Sequence, residues 1–420
     1  MNCTIWQMFL KNRTRIFLFI SYLLFFFVTS GCRGGDPNLL EREDLFTLSI
    51  GKTESQLDIF QLDHVPFTQN IQLQMADGIF YISNGNSNKI MQFNSYGDIL
   101  SLLYNPDNNP MPLQLSTDSG DNKIINKRAF TYPFLMLGNF CVTKGNMLLV
   151  EDEVLEERKT YDEELEAMLD RIVLRFNRQG ELVDYLGQEG IGGTPFPYIE
   201  RIQGNDSGEI VIIGRTMKSW VIYWFSPEGQ LLYNVSIFYD KLPVPKGLNS
   251  VMPSLETIFA DVDEKKLYLK IDYYIDLTQT TDFEGNKSIG FEKSRIYTFD
   301  VAKKRYINVR ELPRYFRKES SFEIFNSEEQ EALYEFIGSA SGGYLFFLGP
   351  DIENENELLI IDSAGKVIMR KSVVIVDREL IYRTFHISSK GILSALLCEE
   401  ESAKVVWWRC DKILEEDRNE

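Results

Sequence analysis

The decapeptide Ile222-Tyr-Trp-Phe225-Ser-Pro-Glu-Gly229-Gln-Leu231 sets the pattern from which the rest of the chain is read. An apolar residue is followed three positions later by an aromatic residue, and four positions after that by glycine. Then another apolar residue restarts the chain. Short apolar runs broken by Gly, Asn, Asp and Pro at fixed offsets read as strands joined by tight turns. The same spacing recurs as Ile90-x-x-Phe93-x3-Gly97, Val173-x-x-Phe176-x3-Gly180 and Leu358-x-x-Ile361-x3-Gly365. Two degenerate copies, Ile296-x-x-Phe299 (Lys303 in the glycine position) and Val405-x-x-Trp408, bring the number to six.

Ahead of each copy stands a second signal, a turn leading into an apolar strand. These are Asp77-Gly78-Ile79-Phe80, Lys144-Gly145-Asn146-Met147, Ser207-Gly208-Glu209-Ile210, Lys265-Lys266-Leu267-Tyr268, Gly342-Gly343-Tyr344-Leu345 and Lys390-Gly391-Ile392-Leu393. Six units of turn, strand, loop, strand, turn, strand predict an all-β chain folded as a six-bladed β-propeller, each blade a four-stranded antiparallel sheet. The sixth unit ends near Cys410 without an outer strand. Leu45-Phe-Thr-Leu-Ser-Ile-Gly51 precedes the first unit without a partner, and it ends like Tyr185-Leu186-Gly187 in the second. The N-terminal strand is therefore expected to close the ring on the C-terminal blade, which removes an open strand edge.

With strands named a to d from the central channel outward, the a–b and c–d turns lie on one face and the b–c and d–a connections on the other. Every a–b turn is short. The long segments are Glu151–Asp170 and Tyr273–Glu292 between b and c, and Tyr104–Phe134, Gly187–Pro197, Tyr239–Ser254 and Pro313–Glu328 between d and a. One plain and one elaborated face follow, with function expected on the elaborated one. In Glu151–Asp170, Tyr161, Leu165, Met168 and Ile172 recur at helical spacing and predict a short helix over the rim. Asn84, Asn86, Arg215 and Asp272, just past the b strands, are candidates for a channel-mouth site. The glycine-rich loop Gly190–Tyr198 is expected to bring Phe196 and Tyr198 to the same rim, and Tyr273 and Tyr274 offer aromatic platforms.

Charge and composition limit the chemistry. The 420 residues carry 44 Lys+Arg against 62 Asp+Glu, a net charge of −18, which disfavours nucleic acid as a partner. Gly190–Tyr198 leads into a strand and not a helix, so no nucleotide-phosphate cradle is expected. Only two histidines occur, His64 and His386, the latter read inside an a strand. Asp118-x-x-Asp121 and Asp261-x-Asp263-Glu264 lack calcium-loop spacing and read as turns that cap their own backbone. No metal, no cofactor and no catalytic residue is assigned. Cys141, Cys398 and Cys410 are expected to be unbridged and buried.

The N-terminus reads as an export signal. Lys11, Arg13 and Arg15 precede the apolar run Ile16–Val28, 13 residues long and too short to span a bilayer, and Met8 is an alternative start. Thr29-Ser30-Gly31-Cys32 resembles a bacterial lipobox, with Thr29 where Leu is usual. Residues 1–31 are thus expected to be a lipoprotein signal, 32–43 the lipidated Cys32 with a short tether, 44–412 the propeller, and 413–420 an acidic tail. Removing the signal takes away three basic and no acidic residues, moving the net charge from −18 to −21. Attachment to a membrane would then rest on the acyl chains.

Asp44–Gly51, Gly78–Gly85, Ser95-Tyr-Gly97 and Asp184–Gly190 together resemble an uncharacterised family of spirochaete lipoproteins with NHL-like six-bladed propeller repeats. The resemblance implies export and lipid anchoring to a bacterial membrane, and supplies no activity. The reading is a lipid-anchored binding or scaffolding module of the cell envelope with a protein partner. The alternatives are a calcium-dependent hydrolase or lactonase, and an envelope carbohydrate binder.

Overall fold

Ser219–Phe225, the strand that carries the opening motif, is buried along its whole length. Its side chains alternate between two cores. Trp220, Ile222 and Trp224 enter one hydrophobic cluster, whereas Val221, Tyr223 and Phe225 enter the next. A sheet buried on both faces needs continuous apolar strands and not alternating ones, so the apolar core lies between sheets and not within one.

In this computed structural model, residues 38–59, 70–115, 128–247, 251–276, 289–316, 331–352, 355–375 and 380–419 are described. Cys32, residues 1–31, His64 and the Asp118–Asp121 cluster lie outside them. Glu41–Glu420 forms one compact unit.

Six antiparallel sheets form the ring. Blade 1 is built from Ile71–Ala76, Ile79–Asn84, Lys89–Phe93 and Ile99–Tyr104, with Arg128–Thr131 added in parallel at its outer edge. Blade 2 uses Phe140–Val142, Leu148–Glu153, Arg171–Phe176 and Leu182–Gly187, and ends on the short Gly190–Ile191. Blade 3 runs Ile199–Gly204, Ile210–Arg215, Ser219–Phe225 and Leu231–Phe238, and blade 4 runs Val251–Ala260, Lys266–Asp276, Ile289–Asp300 and Arg305–Glu311. Blade 5 contains Glu335–Ala340, Tyr344–Ile352, Glu355–Ile361 and Val367–Val374. Blade 6 has Tyr382–Ile387, Leu393–Cys398 and Ser402–Trp408, completed by Arg42–Ser49 from the N-terminal side. The closing register pairs Arg42 with Trp408 and Ser49 with Ser402, as expected from the unpartnered run at 45–51.

The glycine of the repeat has two physical causes. Gly97, Gly180, Gly229 and Gly365 all sit at positive φ, between 76° and 91°, where L side chains are strained. Each also lies under a side chain of the preceding sheet: Phe46, Phe130, Arg175 with Leu186, and Arg310, respectively. Blade 4 departs from the pattern because its turn is one residue longer. Phe299 pairs with Tyr306, whereas Phe225 pairs with Leu231. The positive φ moves accordingly to Lys304, beside Lys303 in the motif's glycine position.

Two expectations are corrected. Residues 151–170 are not a rim helix: a single 3-10 turn at Glu156–Arg158 leads into a hairpin pairing Thr160–Asp162 with Ala167–Leu169. Tyr161 and Met168 sit opposite each other in that hairpin and are exposed, so their spacing reflects a cross-strand pair and not a helical stripe. The acidic stretch at the C-terminus forms a helix, Asp411–Asn419, with Leu414 fully buried and Asp417 paired with Lys366 at 2.8 Å. Cys141, Cys398 and Cys410 are free and buried.

Candidate functional site

The innermost strands and the residues beside them carry polar groups that bond the blades to each other. Gln72 Nε2 donates to Asn139 Oδ1 at 2.7 Å and Gln74 Nε2 to the Phe140 carbonyl at 2.7 Å, joining blades 1 and 2. Asn139 Nδ2 reaches the Ile199 carbonyl of blade 3, and Gln203 Oε1 accepts from Ala260 N of blade 4. Ser339 Oγ of blade 5 donates back to the Ala260 carbonyl, and Ser341 N donates to Ser389 O at the junction with blade 6. Tyr382 OH donates to Ile71 O, and His386 Nδ1 accepts from Met75 N at 3.2 Å, which completes the circuit to blade 1. Polar groups paired in this way tie each blade to the next while satisfying one another's hydrogen-bonding capacity.

Where the a strands run into the a–b turns, the axis opens into a cavity of about 680 Å³. It faces the plain side of the ring, not the elaborated one. Arg201, midway along the first strand of blade 3, stacks its guanidinium 3.8 Å over the ring of Phe259. Its Nε is buried and has no hydrogen-bond partner among the described residues. Burial lowers its pKa to about 10, although the charges of Glu200 and Glu335 pull the other way. His386 belongs to the opposite blade. Burial depresses its pKa to about 4, so it is neutral near pH 7. Because Nδ1 accepts from Met75, the imidazole proton resides on Nε2.

The cavity wall carries Lys144, Arg201, Lys390, Arg409 and Arg418 against Asp77 and Asp206, the reverse of the chain's overall sign. Lys144 approaches Asp206 at 3.7 Å, Arg409 holds Asp411 at 2.7 Å, and Arg418 donates to the Ser341 carbonyl at 2.6 Å. Arg201 is not among the candidates drawn from the sequence. The signal was a lone cation inside Ile199-Glu-Arg-Ile-Gln-Gly204, an innermost strand.

The residues nominated from sequence lie on the other face and do not form one mouth. Asn84 is fully buried, with Oδ1 accepting from Asp58 N and Nδ2 donating to Asp58 O; Asn86 reaches the same carbonyl. Both tie down the segment that follows the closing strand. Asp272 lies within its strand and not beyond it, buried between Lys270 Nζ and Ser294 Oγ, each at 2.5 Å. Tyr273 is buried as well, its hydroxyl donating to the Pro243 carbonyl, so it offers no platform; Tyr274 is half-buried against Phe291. Blade 4 is deeper than expected because its ladder continues to Asp276, and the alternation carries Tyr273 into the core. Phe196 does not reach the rim. It is fully buried against Tyr223 and Phe225, with its backbone bonded to Arg171. Tyr198 is exposed, and Arg215 stands 5.8 Å from its ring while pairing with Glu200. The acidic turn Asp261–Glu264 caps itself as expected: Asp261 Oδ1 accepts from the amides of Asp263 and Glu264.

No protein-family model matches the chain, and no curated protein matches it. Among solved structures it is similar to the Dos1 propeller, at 12% identity over 78% of this chain and 66% of that one, with a TM-score of 0.33. It is also similar to a gluconolactonase from Xanthomonas campestris, at 11% identity over 78% and 82% of the two chains, with a TM-score of 0.37. A streptogramin B lyase is similar at 10% identity over 87% and 97%, with a TM-score of 0.38. The chain spans about two thirds of the first of these structures. Likeness at this level bears on neither ligand nor activity.

Proposed function

We propose that the protein is an exported lipoprotein, anchored to a bacterial membrane through acylated Cys32, whose propeller is a protein-binding module of the cell envelope. The apolar run Ile16–Val28 followed by the lipobox-like Thr29-Ser30-Gly31-Cys32 supports the anchoring. One structural observation carries the binding role: exposed large apolar side chains gather on the elaborated face. Met111, Leu113, Leu155, Tyr161, Met168 and Met217 all stand on b–c or d–a connections, Leu113 being 91% and Met217 80% exposed. Among the described residues, the turns of the plain face expose only Tyr96 in this way. Where such side chains adjoin on one face, they form the kind of surface that a partner protein covers.

Two measurements test the proposal. Metabolic palmitate labelling should mark the wild-type chain and disappear in Cys32→Ala. A photo-crosslinking residue placed at Leu113 or Met217 should capture one common protein in membranes, whereas the same residue at Lys390 on the plain face should not. Equal capture from both faces would refute the assignment of the face, and retained label in Cys32→Ala would refute the anchor.

A further inference from the structure

We infer that the channel cavity on the plain face binds a small organic monocarboxylate with a flat or ring-shaped apolar body, its carboxylate paired with Arg201. The site is independent of the protein-docking face, which lies at the other end of the axis. The cavity of about 680 Å³ falls within the range of small-ligand sites. Arg201 is held for recognition, since Phe259 fixes the plane of the guanidinium and its buried Nε lacks a partner among the described residues. A carboxylate supplies two acceptors matched to such a planar fork. The acidic groups whose charge reaches it do not take that role: Glu200 pairs with Arg215, and no ion pair joins Arg201 to Glu335 among the described residues.

Across the axis, His386 lines the cavity with its Nδ1 occupied by Met75 N, so this side chain is a neutral donor through Nε2. The other wall cations stand apart from it, Lys144, Lys390 and Arg418 being exposed and Arg409 paired with Asp411, so the buried guanidinium of Arg201 facing a neutral donor suits a single negative charge better than a phosphate dianion. Phe385 and Trp407 add apolar wall for the body of the ligand. The cavity is a local inversion of sign in a chain of net charge −18, so an anion would be drawn to this point and repelled elsewhere.

Isothermal titration of the purified full-length protein with sodium benzoate, benzamide and inorganic phosphate tests the inference. Benzoate should bind saturably at one site, with benzamide and phosphate each weaker by about tenfold or more. Arg201→Gln should remove the preference for benzoate over benzamide, and Arg201→Lys should weaken benzoate by about tenfold while keeping the preference. Arg215→Gln should leave benzoate binding unchanged. Equal binding of benzoate and benzamide by the wild type, or unchanged benzoate affinity in Arg201→Gln, would overturn the inference. So would tighter binding of phosphate than of benzoate. Should Arg201→Gln fail to fold, the Arg201→Lys titration and the wild-type benzoate–benzamide comparison decide alone.

Discussion

Leu48→Ala tests the closure on which the ring depends. Leu48 is 4% exposed and lies in the cluster shared by blade 6 and blade 1, with Leu396, Ala403 and Val405 on one side and Leu73, Phe80 and Met91 on the other. Truncating a buried leucine to alanine removes its transfer free energy and leaves a cavity, together costing ~2–5 kcal/mol. Against a total stability of about 5–15 kcal/mol, that is a large share for one side chain. The neighbouring Thr47, paired with Lys404 in the same ladder, is exposed. Thr47→Ala should therefore change stability by no more than about 0.5 kcal/mol. Urea unfolding followed by tryptophan fluorescence measures both, since Trp407 and Trp408 lie on the strand that the closing strand covers. A Leu48→Asp variant should go further, because an unpaired carboxylate in that cluster opens the ladder and frees the Ser402–Trp408 edge for aggregation. If Leu48→Ala and Thr47→Ala unfold at the same midpoint, the closing strand does not seal the ring.

Gly229→Ala should cost about 1–3 kcal/mol in the same assay. Its φ of 88° disfavours a side chain, and the new Cβ would sit 2.8 Å from Leu186 Cδ2 and 3.0 Å from Arg175 Cζ. For His386 the folded pKa of about 4 lies below the ordinary value of 6.5, so the unfolded chain takes up a proton the folded one refuses. Its contribution is complete above pH 6.5 and lost as pH falls toward 4, at most about 3 kcal/mol. Asp152, raised to about 6 by burial, works in the opposite sense between pH 6 and 4. His386→Gln should therefore flatten the acid side of the stability profile, and an unchanged slope would count against a buried neutral imidazole. Met217→Asp and Leu113→Asp should leave the melting temperature within a degree or two while abolishing partner crosslinking, since neither side chain is packed.

What repeats is legible in the chain alone: six strand-turn units, the strand boundaries around each glycine, the sidedness of the connections, and the spare N-terminal strand that closes the ring. These are local or periodic properties, written in turn chemistry and in runs of apolar residues. Where side chains end up is settled later, when the sheets stack. Phe196 and Tyr273 look like rim aromatics until the next sheet covers them, and Asn84 and Asp272 look like channel-mouth ligands until a neighbouring loop or strand takes their bonds. Tyr161 and Met168 share a face at helical spacing in sequence and in fact oppose each other across a hairpin. Arg201 and His386 are 185 residues apart in the chain, on strands that look like ordinary inner edges. Closing the ring puts them on opposite walls of one cavity, because the rotation between successive blades, and not any local pattern, sets which residues meet at the axis.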